Sequence, residues 1–325
     1  MLEGSSIPEP FAHMSSTNKS SSNGCAEPNK VTYNILINSL RKTGRVDDAK
    51  ELLNKMAEKG IVPGLVTYNT MLDGFCKVHK MDEAMEVHHE MIDKGLKPDS
   101  QTYAILIDGF CKKGKIETAN NLLHDMQIHG LIPNQVVYTA LIDAACRCDF
   151  EQAMHLFHEM MEGGCKPDVI SFNVLINASS TVGNLQASKE LLKDMTERGL
   201  IPDLGTYAVV ICMLSQAGQM NEAKGLLEIT IANGYSPNAI IYASMLKGFG
   251  EEGNVEEVVR LLHQMASEDI ILDDELLSTI LYSLTHDIRF STCIGSLPKF
   301  PQAERRASIS CNEFLLRIQK SHLTP

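Results

Sequence analysis

The chain contains no tryptophan, and only 6% of its 325 residues are aromatic, so its core cannot rest on large rings. It also lacks any run of about 18 apolar residues, which argues against a membrane-spanning helix. Basic charge is in deficit: 29 Lys and Arg against 41 Asp and Glu leave a net charge of −12, a sum that opposes bulk attraction to a polyanion. Nine cysteines could suggest disulfides, but Cys76, Cys111 and Cys146 recur at one register inside an apolar helix face. Core packing and a reducing compartment account for them, and Cys146-x-Cys148 is too isolated for a metal site. His89, His124, His158 and His263 fall one per repeat on a second helix, far apart in any stack, and read as surface residues. No catalytic constellation emerges, so neither an enzyme nor a cofactor is expected.

What the chain does contain is a phrase that returns every 35 residues: Thr32-Tyr33-Asn34, Thr67-Tyr68-Asn69, Thr102-Tyr103-Ala104, Val137-Tyr138-Thr139, Ser171-Phe172-Asn173, Thr206-Tyr207-Ala208 and Ile241-Tyr242-Ala243. Seven units follow, 30–64, 65–99, 100–134, 135–168, 169–203, 204–238 and 239–273, the fourth one residue short. Within a unit, Tyr33, Leu36, Ile37 and Leu40 share one helical face, and Val46, Ala49, Leu52, Leu53 and Met56 share a second. Gly44, repeated as Gly114, Gly183, Gly218 and Gly253, suits the left-handed residue that ends a first helix. Gly60 and its equivalents end the second helix, and a proline three residues later (Pro63, Pro98, Pro133, Pro167, Pro202, Pro237) resets the chain. A fixed period of this size predicts an all-α, right-handed superhelical solenoid of helical hairpins rather than one closed core.

The ends read differently. Residues 1–29 are Ser-rich and aperiodic, hence expected to be disordered, although Pro28-Asn29 resembles the end of an earlier unit and leaves a truncated array open. Residues 274–325 read as a degenerate half repeat and cap. Leu277, Ile280, Leu281 and Leu284 begin an eighth first helix, and Ser310 to Glu313 have capping-box spacing before Phe314, Leu315 and Ile318.

The phrases Val66-Thr-Tyr-Asn-x-Met-Leu-Asp-Gly-Phe-Cys-Lys77, Met81-Asp-Glu-Ala-Met-Glu-Val87 and Lys94-Gly-Leu-Lys-Pro-Asp99 resemble the pentatricopeptide repeat family, P-class, over residues 30–273, in wording similar to plant fertility-restorer-type members. The tetratricopeptide pattern Trp-x-x-Leu-Gly is absent. The resemblance implies a groove, lined by first helices, that binds single-stranded RNA one base per repeat through two or three side chains. Positions 5 and 35 would face the base edge: Asn34 with Gly64, Asn69 with Asp99, Ala104 with Asn134, Thr139 with Asp168, Asn173 with Asp203, Ala208 with Asn238 and Ala243 with Asp273. Position 2 would sandwich the base plane through Val31, Val66, Gln101, Val136, Ile170, Gly205 and Ile240. In the family, Asn with Asp selects uracil and Thr with Asp guanine, while alanine cannot hydrogen-bond a base edge. The implied site is therefore 5′-(C/U)-U-n-G-U-n-n-3′, best defined as U-n-G-U across repeats two to five.

Lys42, Lys77, Lys112 and Arg147, at position 13, would contact phosphate in such members, although cations also favour a helix C-terminus for its own sake. Asp99, Asp168 and Asp203 likewise suit helix N-caps. Asn at position 5 has no comparable structural reason, being a mediocre helix former. The resemblance implies a mitochondrion or plastid, yet residues 1–40 hold no Arg and include Glu3, Glu9 and Glu27, unlike a transit peptide. The family's deaminase-like extension, with His-x-Glu and Cys-x-x-Cys, is missing from the tail, as is a nuclease domain with clustered aspartates. Charge falls along the array, from seven basic and four acidic residues in unit one to two and seven in unit seven. A protein-binding scaffold, with partners at the acidic C-terminal repeats, and an inactive remnant of a longer array remain as alternatives.

Overall fold

The computed structural model describes residues 28–268 together with Ile270, Thr279, Ile280 and Pro298. Asp273, most of the eighth first helix and the proposed last helix lie outside the described residues. Among those described there are fourteen α-helices and no strand. The first helices are α1 (Lys30–Lys42), α3 (Leu65–Lys77), α5 (Ser100–Lys112), α7 (Gln135–Cys146), α9 (Val169–Thr181), α11 (Leu204–Gln216) and α13 (Ala239–Glu251). The second helices are α2 (Val46–Glu58), α4 (Met81–Asp93), α6 (Ile116–Ile128), α8 (Phe150–Glu162), α10 (Leu185–Glu197), α12 (Met220–Ala232) and α14 (Val255–Ser267).

Each first helix packs on the next along the whole array. Second helices pack on the first helices of their own and the following repeat and scarcely on one another. The more tightly spaced layer must lie on the inside of the curve, so the first helices line the concave face. The core is one continuous aliphatic layer, with Ile37, Leu72, Ile107, Ile142, Ile176, Ile211 and Leu246 all buried at one register. Position-4 tyrosines latch the two helices of a repeat together: Tyr68 donates to Glu90 at 3.0 Å and Tyr103 to Asp125 at 2.6 Å.

The glycines behave as their spacing requires. Gly44 and Gly60 have φ of 73°, the left-handed conformation that lets the chain leave each helix and turn back. Repeat two has His79 at the inter-helix turn and forces it to φ 61°, a conformation costly for a residue with a Cβ. The fourth repeat loses its missing residue at this same turn: α7 ends a residue early, and Asp149 bonds back to Ala145 at 2.8 Å while its side chain caps α8.

Glycine at position 10 serves close approach. A Cβ on Gly109 would stand 2.7 Å from Cys76 Sγ and 2.9 Å from Cys76 Cβ, so this glycine seats the cysteine of the preceding repeat. Gly225, in α12, meets nothing within 4 Å. Gly109→Ala should therefore destabilise the chain by about 1–3 kcal/mol through overpacking. Gly225→Ala should stabilise it by about 0.5–1 kcal/mol, because only the entropy of the unfolded chain changes. Thermal midpoints of the two variants moving in the same direction would refute this account of position 10.

Candidate nucleic-acid interface

The residue immediately before each first helix adopts extended backbone and caps it. Asp99 accepts from Thr102 N at 2.8 Å, Asp168 from Ser171 N and Asp203 from Thr206 N at the same distance, and Asn134 and Asn238 accept from Val137 N and Ile241 N at 3.1 Å. Gly64 has no side chain to offer; there Thr67 Oγ1 accepts from Gly64 N instead, at 3.3 Å. Position 35 is thus a helix cap in every repeat where it carries a side chain and is described.

The same cap reaches across to position 5 of its own repeat. Asn69 Nδ2 donates to Asp99 at 3.2 Å, while Asn69 Oδ1 accepts from Thr102 Oγ1 at 2.8 Å. Asn173 repeats the arrangement with Asp203 at 2.9 Å and Thr206 at 2.5 Å. Thr139 meets Ser171 at 3.0 Å, and Asn34 accepts from Thr67 at 2.7 Å. This corrects the expectation that asparagine here lacks a structural reason: its amide stitches one repeat to the next, and Asn69 is only 7% exposed. Two carboxylates feel these bonds. Burial pushes Asp99 upward, but hydrogen bonds from Thr102 and Asn69 together outweigh it and hold the carboxyl below its usual range. Asp203 is held low in the same way by Thr206 and Asn173.

Ala104 and Ala208 make no such bond. They sit half-buried against the core, as does Ala243, whose position-35 partner in sequence lies outside the described residues. Position 2 supplies a ladder of exposed aliphatics: Val31, Val66, Val136, Ile170 and Ile240 are 61–69% exposed. Gln101 and Gly205 interrupt it. Between repeats two and three the ladder opens into a cleft of about 340 Å³. Val66, Asn69, Asp99 and Gln101 line it, and Asn38 and Arg41 of repeat one reach its other side. The cleft therefore offers two flat flanks and a hydrogen-bonding edge.

The position-13 cations stand at the first-helix ends, but three of them already have partners. Lys77 bonds Asp73 at 2.8 Å, Lys112 bonds Asp108 at 2.7 Å, and Arg147 pairs with Asp143. These aspartates all occupy position 9, four residues before the cation, a spacing that marks the pair in the sequence. Exposed i,i+4 pairs are worth only about 0.3–0.5 kcal/mol, so a stronger anion could compete for the cations. Lys42 is exposed at the end of α1. Arg41, which the sequence did not single out, bridges repeats one and two by pairing with Asp73. Among the described residues no helix is long and apolar enough to cross a membrane, and no group of His, Cys, Asp and Glu could hold a metal ion.

The PPR repeat family model matches residues 28–77, 63–112, 105–147, 133–181 and 167–216, and the PPR repeat model matches 205–235 and 240–270. The chain belongs to the pentatricopeptide repeat (PPR) family. Among solved structures, the array is similar to the pentatricopeptide repeat protein PPR10 from maize, with a TM-score of 0.55 and 24% identity over 82% of this chain and 39% of that one. It is also similar to the nuclear protein-only RNase P 2 from Arabidopsis thaliana, with a TM-score of 0.51 and 18% identity over 57% and 42% of the two chains. These likenesses establish the solenoid fold, and this PPR chain spans under half the length of either neighbour. A search among curated protein sequences finds no match.

Because Asp99 and Asp203 are held low, the native chain binds fewer protons than the unfolded chain as pH falls below about 5, and stability is lost there. The Asp99→Asn/Asp203→Asn variant retains both caps but should lose less stability between pH 5 and pH 3. Thermal midpoints that fall in parallel with wild type would show that the two bonded carboxylates do not contribute.

Proposed function

We propose that this PPR chain binds single-stranded RNA sequence-selectively, one base per repeat, and acts by occupying an organellar transcript rather than by catalysis. The observation that carries this reading is the cleft between repeats two and three. One apolar flank, Val66, and one planar amide, Gln101, suit the faces of a base without regard to its identity, while an amide and a carboxylate at the edge can discriminate through hydrogen bonds. The same set recurs at Asn173 and Asp203, and in altered form at Thr139 and Asp168. Exposed cations at one helix end of repeats one to four give the backbone of such a strand a track. Their loss in repeats five to seven, where position 13 is Thr181, Gln216 and Glu251, supports binding weighted toward the N-terminal half. An organellar setting, mitochondrion or plastid, follows from the family alone.

Selection from a random single-stranded RNA pool by the purified chain, at two salt concentrations, tests the reading. Enrichment of U-n-G-U is expected, and its loss in the Asn69→Ser/Asn173→Ser variant. Equal retention of any RNA, or none, would favour the scaffold or remnant readings. Reversing Lys77 and Lys112 to Glu should weaken binding and reduce the salt slope by about 0.7 for each phosphate no longer neutralised. A slope unchanged by the reversal would remove these lysines from the interface.

A further inference from the structure

Position 5 of each repeat is matched to a residue about one repeat further on, at position 3 of the next unit. Asn34 meets Thr67, Asn69 meets Thr102, Thr139 meets Ser171 and Asn173 meets Thr206. Where position 5 is alanine, the corresponding residue is apolar: Val137 follows Ala104, and Ile241 follows Ala208. No polar residue is matched to an apolar one in these six pairs. Thr67, Thr102 and Ser171 are fully buried, as is Ile241, and Val137 and Thr206 are nearly so, so none of them can touch a strand in the groove.

The matching has a physical cause. An amide facing valine leaves its oxygen without that partner, and a buried hydroxyl facing alanine keeps only its own helix cap. The hydroxyl also has a direction. Thr102 Oγ1 accepts from Asp99 N at 3.2 Å and Thr67 Oγ1 from Gly64 N at 3.3 Å; the Thr67 hydrogen is left for Asn34, while that of Thr102 is shared between Asn69 Oδ1 and Asp99 Oδ1, both at 2.8 Å. Asp99 can only accept, so it turns the amide nitrogen of Asn69 toward itself, and Thr102 supplies a donor to the oxygen at the other end. An amide rotated end for end would set oxygen against carboxylate and nitrogen against a donor.

We infer that position 3 of the following repeat is a positioning residue for base selection: by fixing the amide at position 5 in one orientation, it lets that repeat distinguish uracil from cytosine, whose pairing edges exchange donor and acceptor. An alanine repeat is consequently blank at two places, and writing Asn and Asp into positions 5 and 35 leaves the new amide facing a buried Val137 or Ile241. The base-selecting half of this inference rests on the RNA reading proposed above; the pairing half does not.

Two measurements on the full chain separate those halves. In a double-mutant cycle, Asn69→Ala and Thr102→Val should each lower the thermal midpoint by about 2–4 °C, and the double variant, which copies the native Ala104–Val137 pairing, should recover at least half of the summed loss. Strictly additive losses would overturn the pairing. In binding to strands carrying U-n-G-U or C-n-G-U, Thr102→Val should reduce the preference for uracil roughly five- to ten-fold, and Thr102→Ser should retain it. Preference undiminished in Thr102→Val would overturn the positioning role. Converting repeat three with Ala104→Asn/Asn134→Asp should create little preference until Val137→Thr is added, and a full preference without it would also overturn that role. If the wild-type chain prefers no strand, the RNA reading and the base-selecting half fall together, while the cycle still decides the pairing.

Discussion

The side chain that stands before each first helix joins three levels of this structure. It caps a helix whose leading N–H groups would otherwise lack partners, it lies at the seam between two repeats, and through Asp99 and Asp203 it holds the position-5 amide of its own repeat. A single carboxylate oxygen of Asp99 takes bonds from Thr102 N, Thr102 Oγ1 and Asn69 Nδ2. The local geometry of the helix start thus fixes the orientation of a groove-facing group without any help from a ligand. Such pre-organisation is what a selective site requires, because the cost of ordering the side chain is met on folding.

Stacking makes the seam possible. First helices approach closely because position 10 is glycine or alanine in most repeats and position 12 is small in all but the first, where it is Arg41; Gly109 receives Cys76, and a Cβ on Gly248 would stand 3.4 Å from Ser215 O. Second helices, spaced further apart, are tied by longer side chains, as where Lys50 reaches Glu86 and Lys224 reaches Glu257. The inner layer is therefore set by backbone approach and the outer by flexible ion pairs, which places the more rigid surface on the concave side.

The period, the two apolar faces, the left-handed glycines and the proline reset were all legible in the residues, since each depends on spacing within about one repeat. Three features were not. The partner of Asn69 lies a full repeat away at Thr102, and nothing in the local sequence marks a threonine in a recurring phrase as a hydrogen-bond donor to another unit. Arg41 reaches Asp73 of the next repeat, a pairing 32 residues apart that no local spacing marks. The strained His79 occupies the place of an expected glycine, and only its φ shows that the turn survives the substitution. Sequence spacing reports what a helix face must bury; it reports poorly what two faces exchange across an interface.

The acidic net charge looks different once charges are placed. Each position-9 aspartate in repeats two to four sits one turn before a position-13 cation, so the groove end of those helices is nearly neutral in the free protein. A phosphate arriving there exchanges one anion for another instead of meeting an unpaired cation. Such a groove gains less from bulk attraction than a basic patch would, and holds indiscriminate polyanions less strongly. On the RNA reading proposed above, more of the affinity comes from base faces against Val66, Val136 and Ile170 and from the edges set by Asn69, Thr139 and Asn173. A weak phosphate track therefore favours selectivity, because it lowers the share of binding that every sequence has in common.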